Sequence, residues 1–278
     1  MNITEDTFFV SPTSYARLRL LLIRRSNINI SSLKHPYLNR RIRLRIRANE
    51  CPSTEEYLML AERDSEEYKK LVSTLTINVT RFFRNTDTFF KIRDAVIPEI
   101  IKNREKQGER KISVLSVGCA TGEEPYSIAI LFLEHFLKTQ KKFDLRIIGT
   151  DVDKKALFVA LKGIYAHDKV AGISKELLNR YFIHTTNGYQ VSEALRKAVI
   201  FIKRDVLQQR VYRRFDLILA RNILIYFSRK YQEVIEETFH RQLVSGGFLA
   251  LGRTESLVGR GRSLFEVVSS RDRIYRKK

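Results

Sequence analysis

Two hydrophobic rhythms divide this chain, and they change over near residue 87. Before that point the apolar residues recur at helical spacing. Ser14 to Ile23 carries one such stripe, and Ser53-Thr-Glu-Glu56 is a capping box that opens a helix bearing Tyr57, Leu58 and Leu60. Leu71 to Thr80 reads as a helix end and linker. The segment from Arg40 to Arg47 alternates strictly enough for a strand. Leu38, Ile42 and Ile46 nevertheless form an i, i+4 stripe, and the helical neighbours favour a helix. From Asp87 onward short β-branched runs alternate with amphipathic segments. The pattern predicts a helix over 87–106, strands over 112–117 and 145–149, a helix over 124–137 and another over 154–162. Strands over 199–202, 215–220 and 248–251 follow, with a helix over 229–243 and short closing strands at 265–267 and 273–275. Such alternation implies an α/β fold, a parallel sheet with helices on both faces and a ligand site at the strands' carboxyl ends. Between 163 and 203 the rhythm breaks. There Asn187-Gly188, between Tyr181-Phe-Ile and Tyr189-Gln-Val, signals a hairpin within a small β insertion.

The first predicted strand runs into Ser116-Val-Gly-Cys-Ala-Thr-Gly-Glu-Glu-Pro-Tyr-Ser127. Gly118 and Gly122 permit a sharp turn and close approach to a ligand, and Glu123 onward reads as a helix start. The second strand delivers Asp151, within Thr150-Asp-Val-Asp153, to its own carboxyl end. An acid there, about 30 residues past the glycine turn, is where Rossmann-like folds hold ribose hydroxyls. A dinucleotide would set its pyrophosphate on the helix amides. Glu123 and Glu124 at that helix start would repel it. A cationic, phosphate-free ligand with an adenosine ribose suits them, and S-adenosyl-L-methionine meets that description.

At 278 residues the chain can hold one large domain or two modest ones, and 44% hydrophobic content supports a substantial core. No apolar run reaches the ~18 residues that span a bilayer, and no cleavable leader pattern is read at the start. Cys51 and Cys119 make neither a disulfide framework nor a metal site, and the five histidines lack metal spacing. The expectation is a cytoplasmic protein with reduced thiols. The net charge of +20 is unevenly placed: residues 1–47 carry ten Lys or Arg against only Glu5 and Asp6. Arg40, Arg41, Arg43, Arg45 and Arg47 crowd one short element with no acid among them. That imbalance points to an anionic partner.

Five separated pieces resemble one family, in its order: Asn78-Val-Thr-Arg-Phe-Phe-Arg84, Gly122-Glu-Glu-Pro-Tyr-Ser127, Thr150-Asp-Val-Asp153, Phe215-Asp-Leu-Ile-Leu-Ala-Arg-Asn-Ile-Leu-Ile-Tyr-Phe227 and Gly246-Gly-Phe-Leu-Ala-Leu-Gly-Arg-Thr-Glu255. Over most of its length the chain resembles the CheR-type chemotaxis receptor glutamate methyltransferases. The resemblance implies a Rossmann-like S-adenosylmethionine methyltransferase domain with a small β insertion, preceded by an all-α N-terminal domain. The boundaries it suggests are 1–75 for the helical domain and 76–90 for a linker that contributes to the cofactor site. The methyltransferase domain would take 91–278, with the insertion at about 163–203.

Carried over residue by residue, the resemblance places the donor against Asn78, Thr80 and Arg84 of the linker. Gly118, Glu124 and Asp151 would add the glycine turn, an acid near the amino group or sugar, and the ribose contact. Arg221 and Asn222 would face the methionine end. Where the family usually has Asn-Leu beside the adenine, this chain has Asp205-Val206, and an aspartate can accept a hydrogen bond there but cannot donate one. Arg84 and Tyr226 would act on the reaction itself, and Arg40, Arg41, Arg45 and Arg47 would face the acidic methylation region of a chemoreceptor. The implied reaction gives a γ-glutamyl methyl ester and S-adenosyl-L-homocysteine. The implied enzyme is a monomer, without membrane insertion and without a receptor-peptide tether in the tight insertion loop. A nucleic-acid methyltransferase is the rival that the charge suggests. The Asn/Asp-Pro-Pro-Tyr/Phe loop common after the fourth strand of base-methylating enzymes is replaced by Ala220-Arg-Asn-Ile-Leu-Ile-Tyr226, which disfavours it. A non-catalytic binding scaffold is a third reading, opposed by retention of Arg84, Asp151, Asn222 and Tyr226.

Overall fold

The computed structural model describes residues 10–26, 30–76, 78–208 and 214–278. Glu5 and Asp6, and Ile77 within the expected linker, lie outside the described residues. The chain forms two compact units. Met1–Ile77 with Tyr226–Tyr231 make the first, and Asn78–Ile225 with Gln232–Lys278 the second.

In the first unit, helices α1 (Pro12–Ser26), α2 (His35–Ala48), α3 (Thr54–Arg63) and α4 (Ser65–Leu75) enclose one apolar core. The stripe Leu38, Ile42, Ile46 is buried, so burial settles the ambiguous Arg40–Arg47 segment as helix. Ser53 caps α3 by accepting from the Glu56 N–H, and Asp64 caps α4 through the Glu66 and Glu67 N–H groups. One charge is buried with its partners. Glu67 accepts from the Arg45 fork at 2.9 and 2.5 Å and from the Tyr57 hydroxyl at 2.9 Å. Burial raises the Glu67 pKa, but those hydrogen bonds outweigh it and hold the carboxyl below its usual range. The chain's later return, Tyr226–Tyr231, joins this unit through a bridge between Phe227 and Leu33 and hydrogen bonds from Lys34 N to Tyr226 O and from Ser228 N to Ser32 O, each 2.9 Å.

The second unit opens with a helical rod instead of the single α-helix expected over 87–106. The segments α5 (Thr86–Lys91) and α6 (Ile97–Lys106) are joined by a π-type stretch at Ile92–Val96. Pro98 stands two residues past its end, in the first turn of α6, and proline supplies no N–H for the i→i−4 ladder. Then come β1 (Lys111–Val117), α7 (Glu123–Thr139), β2 (Asp144–Asp151) and α8 (Lys154–Lys162). The insertion holds β3 (Ile164–Tyr165), α9 (His167–Val170), α10 (Lys175–Tyr181), β4 (Phe182–Thr185) and β5 (Gly188–Val191). After α11 (Glu193–Ala198) the chain adds β6 (Val199–Lys203), β7 (Phe215–Ala220), α12 (Arg229–Gln242) and β8 (Leu243–Leu251). It closes with α13 (Gly261–Leu264), β9 (Phe265–Ser269) and β10 (Ile274–Lys277).

The main sheet has the order β6-β2-β1-β7-β8-β10-β9. Its first five strands are parallel. The expectation of an all-parallel sheet is corrected at one end: β9 and β10 form a hairpin, and β10 inserts antiparallel beside β8. Both faces are covered. Ile112, Val114, Ile147, Leu217, Leu219, Phe248 and Ala250 join one core with α6 and α7, while Leu115, Ile148, Ile218 and Leu249 of the alternate face are buried as well. The insertion is a separate sheet of order β3-β5-β4 that ends at Val191, and β6 belongs to the main sheet. The hairpin register is also shifted by one from the expected turn. Thr185 pairs with Gly188, leaving Thr186-Asn187 at the tip. Gly188 is glycine because a Cβ there would sit 2.2 Å from the Tyr165 carbonyl oxygen of β3. Among the described residues no helix is long and apolar enough to cross a membrane.

Candidate functional site

Strand order reverses between β1 and β7, whose carboxyl ends lie side by side with that of β2. In open α/β sheets this is where a crevice forms and ligands bind. The turn after β1 is held by Thr150 O, which accepts from Gly118 N at 2.8 Å and from Cys119 N at 3.0 Å. Gly118, Ala120 and Gly122 all have positive φ, at 67°, 47° and 93°. Gly122 is needed for packing: a Cβ there would sit 2.8 Å from the Ala160 Cβ and 3.0 Å from the Phe201 ring.

Asp151 is buried, and each of its carboxylate oxygens accepts a backbone N–H, from Ala120 at 2.8 Å and from Asp153 at 2.9 Å. Burial raises its pKa, and the two amides work against that rise. Each oxygen keeps a lone pair for a ligand hydroxyl. Asp153 caps α8 through Lys155 N and Ala156 N, and its other oxygen accepts from the Asn78 side-chain amide at 2.7 Å. Asn78 is thereby fixed beside Asp151.

The two glutamates at the α7 start differ. Glu124 accepts from the Ser116 hydroxyl at 2.8 Å and from the Arg221 guanidinium at 3.2 Å. Arg221 is buried and also donates to Arg84 O at 2.5 Å and Asn85 Oδ1 at 3.1 Å, with its guanidinium 5.0 Å from the Phe89 ring centroid. It is a tie between strand end, helix start and the Phe-Phe-Arg loop, with both terminal nitrogens committed to protein groups and its Nε buried without a partner. Glu123 is fully buried: Oε2 accepts from the Thr121 hydroxyl at 2.6 Å, Oε1 has no hydrogen-bond partner, and Lys169 Nζ lies 3.9 Å away. Burial pushes its pKa up.

The linker residues lie in the same unit. Arg84 is half-buried and donates to Val79 O at 2.8 Å, closing the 79–84 loop with one of its five guanidinium N–H donors. The Thr80 carbonyl accepts from Lys169 Nζ at 3.4 Å. Past β6, the Asp205 carboxylate accepts from Leu207 N at 3.0 Å, burial raises its pKa, and Val206 is buried.

Asn222 follows β7 with φ 60°, and its Oδ1 is buried without a partner. The residue that holds it there was not singled out by sequence. Glu255, past the end of β8, is buried and accepts from Asn222 N at 2.8 Å, Gly252 N at 2.6 Å and Ile225 N at 3.1 Å. A glutamate closing the Gly-Arg-Thr-Glu piece was the available signal. Tyr226 groups with the first unit, where its ring centroid is 4.9 Å from that of Tyr37. Of the α2 arginines, Arg40 and Arg47 are exposed and Arg41 and Arg43 half-buried. Arg45 is not presented with them, because its fork is spent on Glu67.

The profile described as the CheR methyltransferase SAM binding domain matches residues 78–274, and that of its all-alpha domain matches 13–76. The chain belongs to the CheR methyltransferase family. It is a methyltransferase, and S-adenosyl-L-methionine is its cofactor. A chemotaxis protein methyltransferase 2 of Vibrio cholerae is 31% identical over 93% of this chain and 90% of its own length. Chemotaxis protein methyltransferase 1 of Pseudomonas aeruginosa is 35% identical over 67% of this chain and 69% of its own. An uncharacterized 104.1 kDa protein of Rhodobacter capsulatus is 32% identical over 89% of this chain, which spans 26% of that longer protein. Among solved structures, the N-methyltransferase NodS of Bradyrhizobium japonicum with bound S-adenosyl-L-homocysteine aligns at a TM-score of 0.37 and 14% identity, over 65% of this chain and 85% of that one. The CheR residues present fit an S-adenosylmethionine-type ligand: Asp151 keeps acceptor capacity, and the buried Asn222 Oδ1 is an orphan acceptor at the strand ends.

Proposed function

We propose that this chain methylates glutamate side chains on the cytoplasmic helices of a chemoreceptor, producing γ-glutamyl methyl esters and S-adenosyl-L-homocysteine during chemotactic adaptation. The carrying observation is the strand-end constellation of Asp151, Asn78, Glu124, Arg221 and Asn222 inside the matched SAM-binding domain. The names of the Vibrio and Pseudomonas relatives supply the chemotactic setting. Bound S-adenosyl-L-methionine would supply a sulfonium methyl, which a carboxylate attacks in line.

On the donor side, Asp151 receives the ribose hydroxyls, Asp205 and Val206 border the adenine, and Asn78, Thr80 and Gly118 shape the remaining wall. Asn222 receives the amino acid end, and Arg84 offers its remaining N–H donors to a carboxylate. Glu124 and Arg221 hold this frame rigid against each other. On the acceptor side, Tyr226 presents the glutamate, while Arg40, Arg41 and Arg47 attract the acidic helix that carries it. A glutamate with a reference pKa of about 4.3 is already ionised at neutral pH, so the protein contributes alignment more than proton transfer. The proposal includes a cytoplasmic monomer, folded as a helical domain over 1–75, a cofactor-contacting linker over 76–90 and a methyltransferase domain over 91–278.

The test is to incubate the protein with methyl-labelled donor and receptor-containing membranes and then to add mild base. Carboxyl methyl esters release volatile labelled methanol. Label that stays on protein or appears on nucleic acid refutes the reading.

A further inference from the structure

The amino-terminal ends of the parallel strands carry a second cavity, of about 240 Å³. Lys111 and Ser113 of β1, Asp144 and Arg146 of β2, and Arg214 just before β7 line it. It lies at the opposite ends of these strands from Asp151 and Asn222. Lys111 stands opposite Asp144, and Ser113 opposite Arg146. The β1–β7 register, with Val114 opposite Leu217, carries back to Lys111 beside Arg214. Residues two apart share a face and neighbouring strands lie ~4.8 Å apart, so this row is Asp144, Lys111, Arg214 across three strands.

These charges are open to solvent: Lys111, Asp144 and Arg214 are exposed and Arg146 is half-buried. The side chains of Lys111, Asp144, Arg146 and Arg214 make no hydrogen bond or ion pair with any other described residue. Their neighbour Asp216, by contrast, is occupied by Arg104 at 2.6 Å and by Ser113 N at 2.9 Å. Three cations against one carboxylate therefore converge on one concavity, and like charges on adjacent strands oppose folding. The positive field extends further: the Lys277 ammonium, bonded to His240 O and Leu243 O, has its pKa lowered by burial first and then by Arg214.

We propose that this cavity binds a small organic phosphate, with the phosphate on Arg146, Arg214 and Lys111 and a hydroxyl or amino group of the ligand on Asp144. Two guanidinium forks match phosphate oxygens bidentately, and a lysine adds a point charge. Asp144 repels a bare anion but accepts from a ligand that carries its own donor, which selects an organic phosphate over the inorganic ion. The volume is below the range of about 300–1,000 Å³ usual for drug-sized ligands, which suits a compact molecule of sugar-phosphate size.

The test uses the full chain saturated with S-adenosyl-L-homocysteine, so that the cofactor site is filled and the outcome is independent of the methylation reading. Ribose 5-phosphate and inorganic phosphate are titrated calorimetrically at about 0.15 M salt. The expected result is saturable one-to-one binding of ribose 5-phosphate, weakened at least about tenfold in R146Q/R214Q through loss of charge-assisted contacts. D144N should weaken ribose 5-phosphate and leave inorganic phosphate no weaker. The single variants R146Q, R214Q and K111Q give the same reading if the double variant fails to retain S-adenosyl-L-homocysteine affinity. A control of equal charge, K70Q/K175Q, should bind as the parent does. Absence of saturable ribose 5-phosphate binding, or equal weakening in the control, overturns the proposal.

Discussion

Replacing Glu236 of α12 with glutamine should make the second unit more stable at neutral pH than at acid pH, relative to the parent. The Glu236 carboxylate is fully buried and, among the described residues, receives only the Val258 N–H, at 3.2 and 3.1 Å to its two oxygens. The loop over it comes so close that a Cβ on Gly261 would lie 1.8 Å from Glu236 Oε2. Burial, set against that single hydrogen bond and aggravated by nearby Glu233, raises the pKa from 4.5 to about 7, with Arg262 opposing. A group whose folded pKa is raised binds more protons folded than unfolded. Stability from this group is therefore full below about pH 4.5 and is lost as pH rises to about 7. At 1.36 kcal/mol per pKa unit the loss is about 3 kcal/mol. Glu236→Gln removes the titration while keeping an oxygen to accept from Val258. Whatever the amide adds or costs is constant with pH, so the difference between the two proteins should grow by about 3 kcal/mol across the window and then level off. Urea unfolding of both proteins at stepped pH measures this. Side-chain carboxyl NMR should also show a glutamate titrating near 7 that vanishes in the variant. Parallel stability curves, or no such resonance, would refute the reasoning.

Four further outcomes follow from the side-chain pairings. Arg221→Met should cost about 3 kcal/mol by leaving Glu124 and the Arg84 carbonyl unpaired, and should weaken S-adenosyl-L-homocysteine binding in calorimetry. Glu255→Ala strands three backbone N–H groups and should cost at least about 2 kcal/mol, with amide hydrogen exchange accelerating first at Asn222, Ile225 and Gly252. Arg40→Glu, Arg41→Glu and Arg47→Glu together should cut receptor methylation at low salt while donor affinity stays within about twofold. Arg45→Ala should instead lower the melting temperature, by exposing the buried Glu67 charge to a cost of about 3 kcal/mol.

Local pattern carried the parallel half of the sheet. The apolar runs at β1, β2 and β7 and the α8 period were readable because strand and helix periods are properties of neighbouring residues. The antiparallel entry of β10 between β8 and β9 was not readable, since it depends on which distant edge remains open. The same distinction holds for the site. Asp151 and the glycine turn stand out in sequence by their spacing. The Arg45–Glu67 fork, the Arg221 tie to Asn85 and the Glu255 clamp join residues 22, 136 and 33 positions apart, and no window of the chain displays such a pairing. Gly188 was legible as a glycine signal but misplaced by one residue, because its cause is the Tyr165 carbonyl of another strand.

The return of Tyr226–Tyr231 into the first unit bears on the order of biosynthesis. Ser32 O and Lys34 N find their backbone partners in Ser228 and Tyr226, which leave the ribosome roughly 190 residues later. At about 5–20 residues per second that interval is at least about 10 s. During it the helices α1–α4 can bury their shared core while this edge stays hydrated. A fragment ending at residue 76 would accordingly be helical yet lack its last bridge, and the Lys34 N–H would regain protection only when a peptide bearing Tyr226–Tyr231 is supplied.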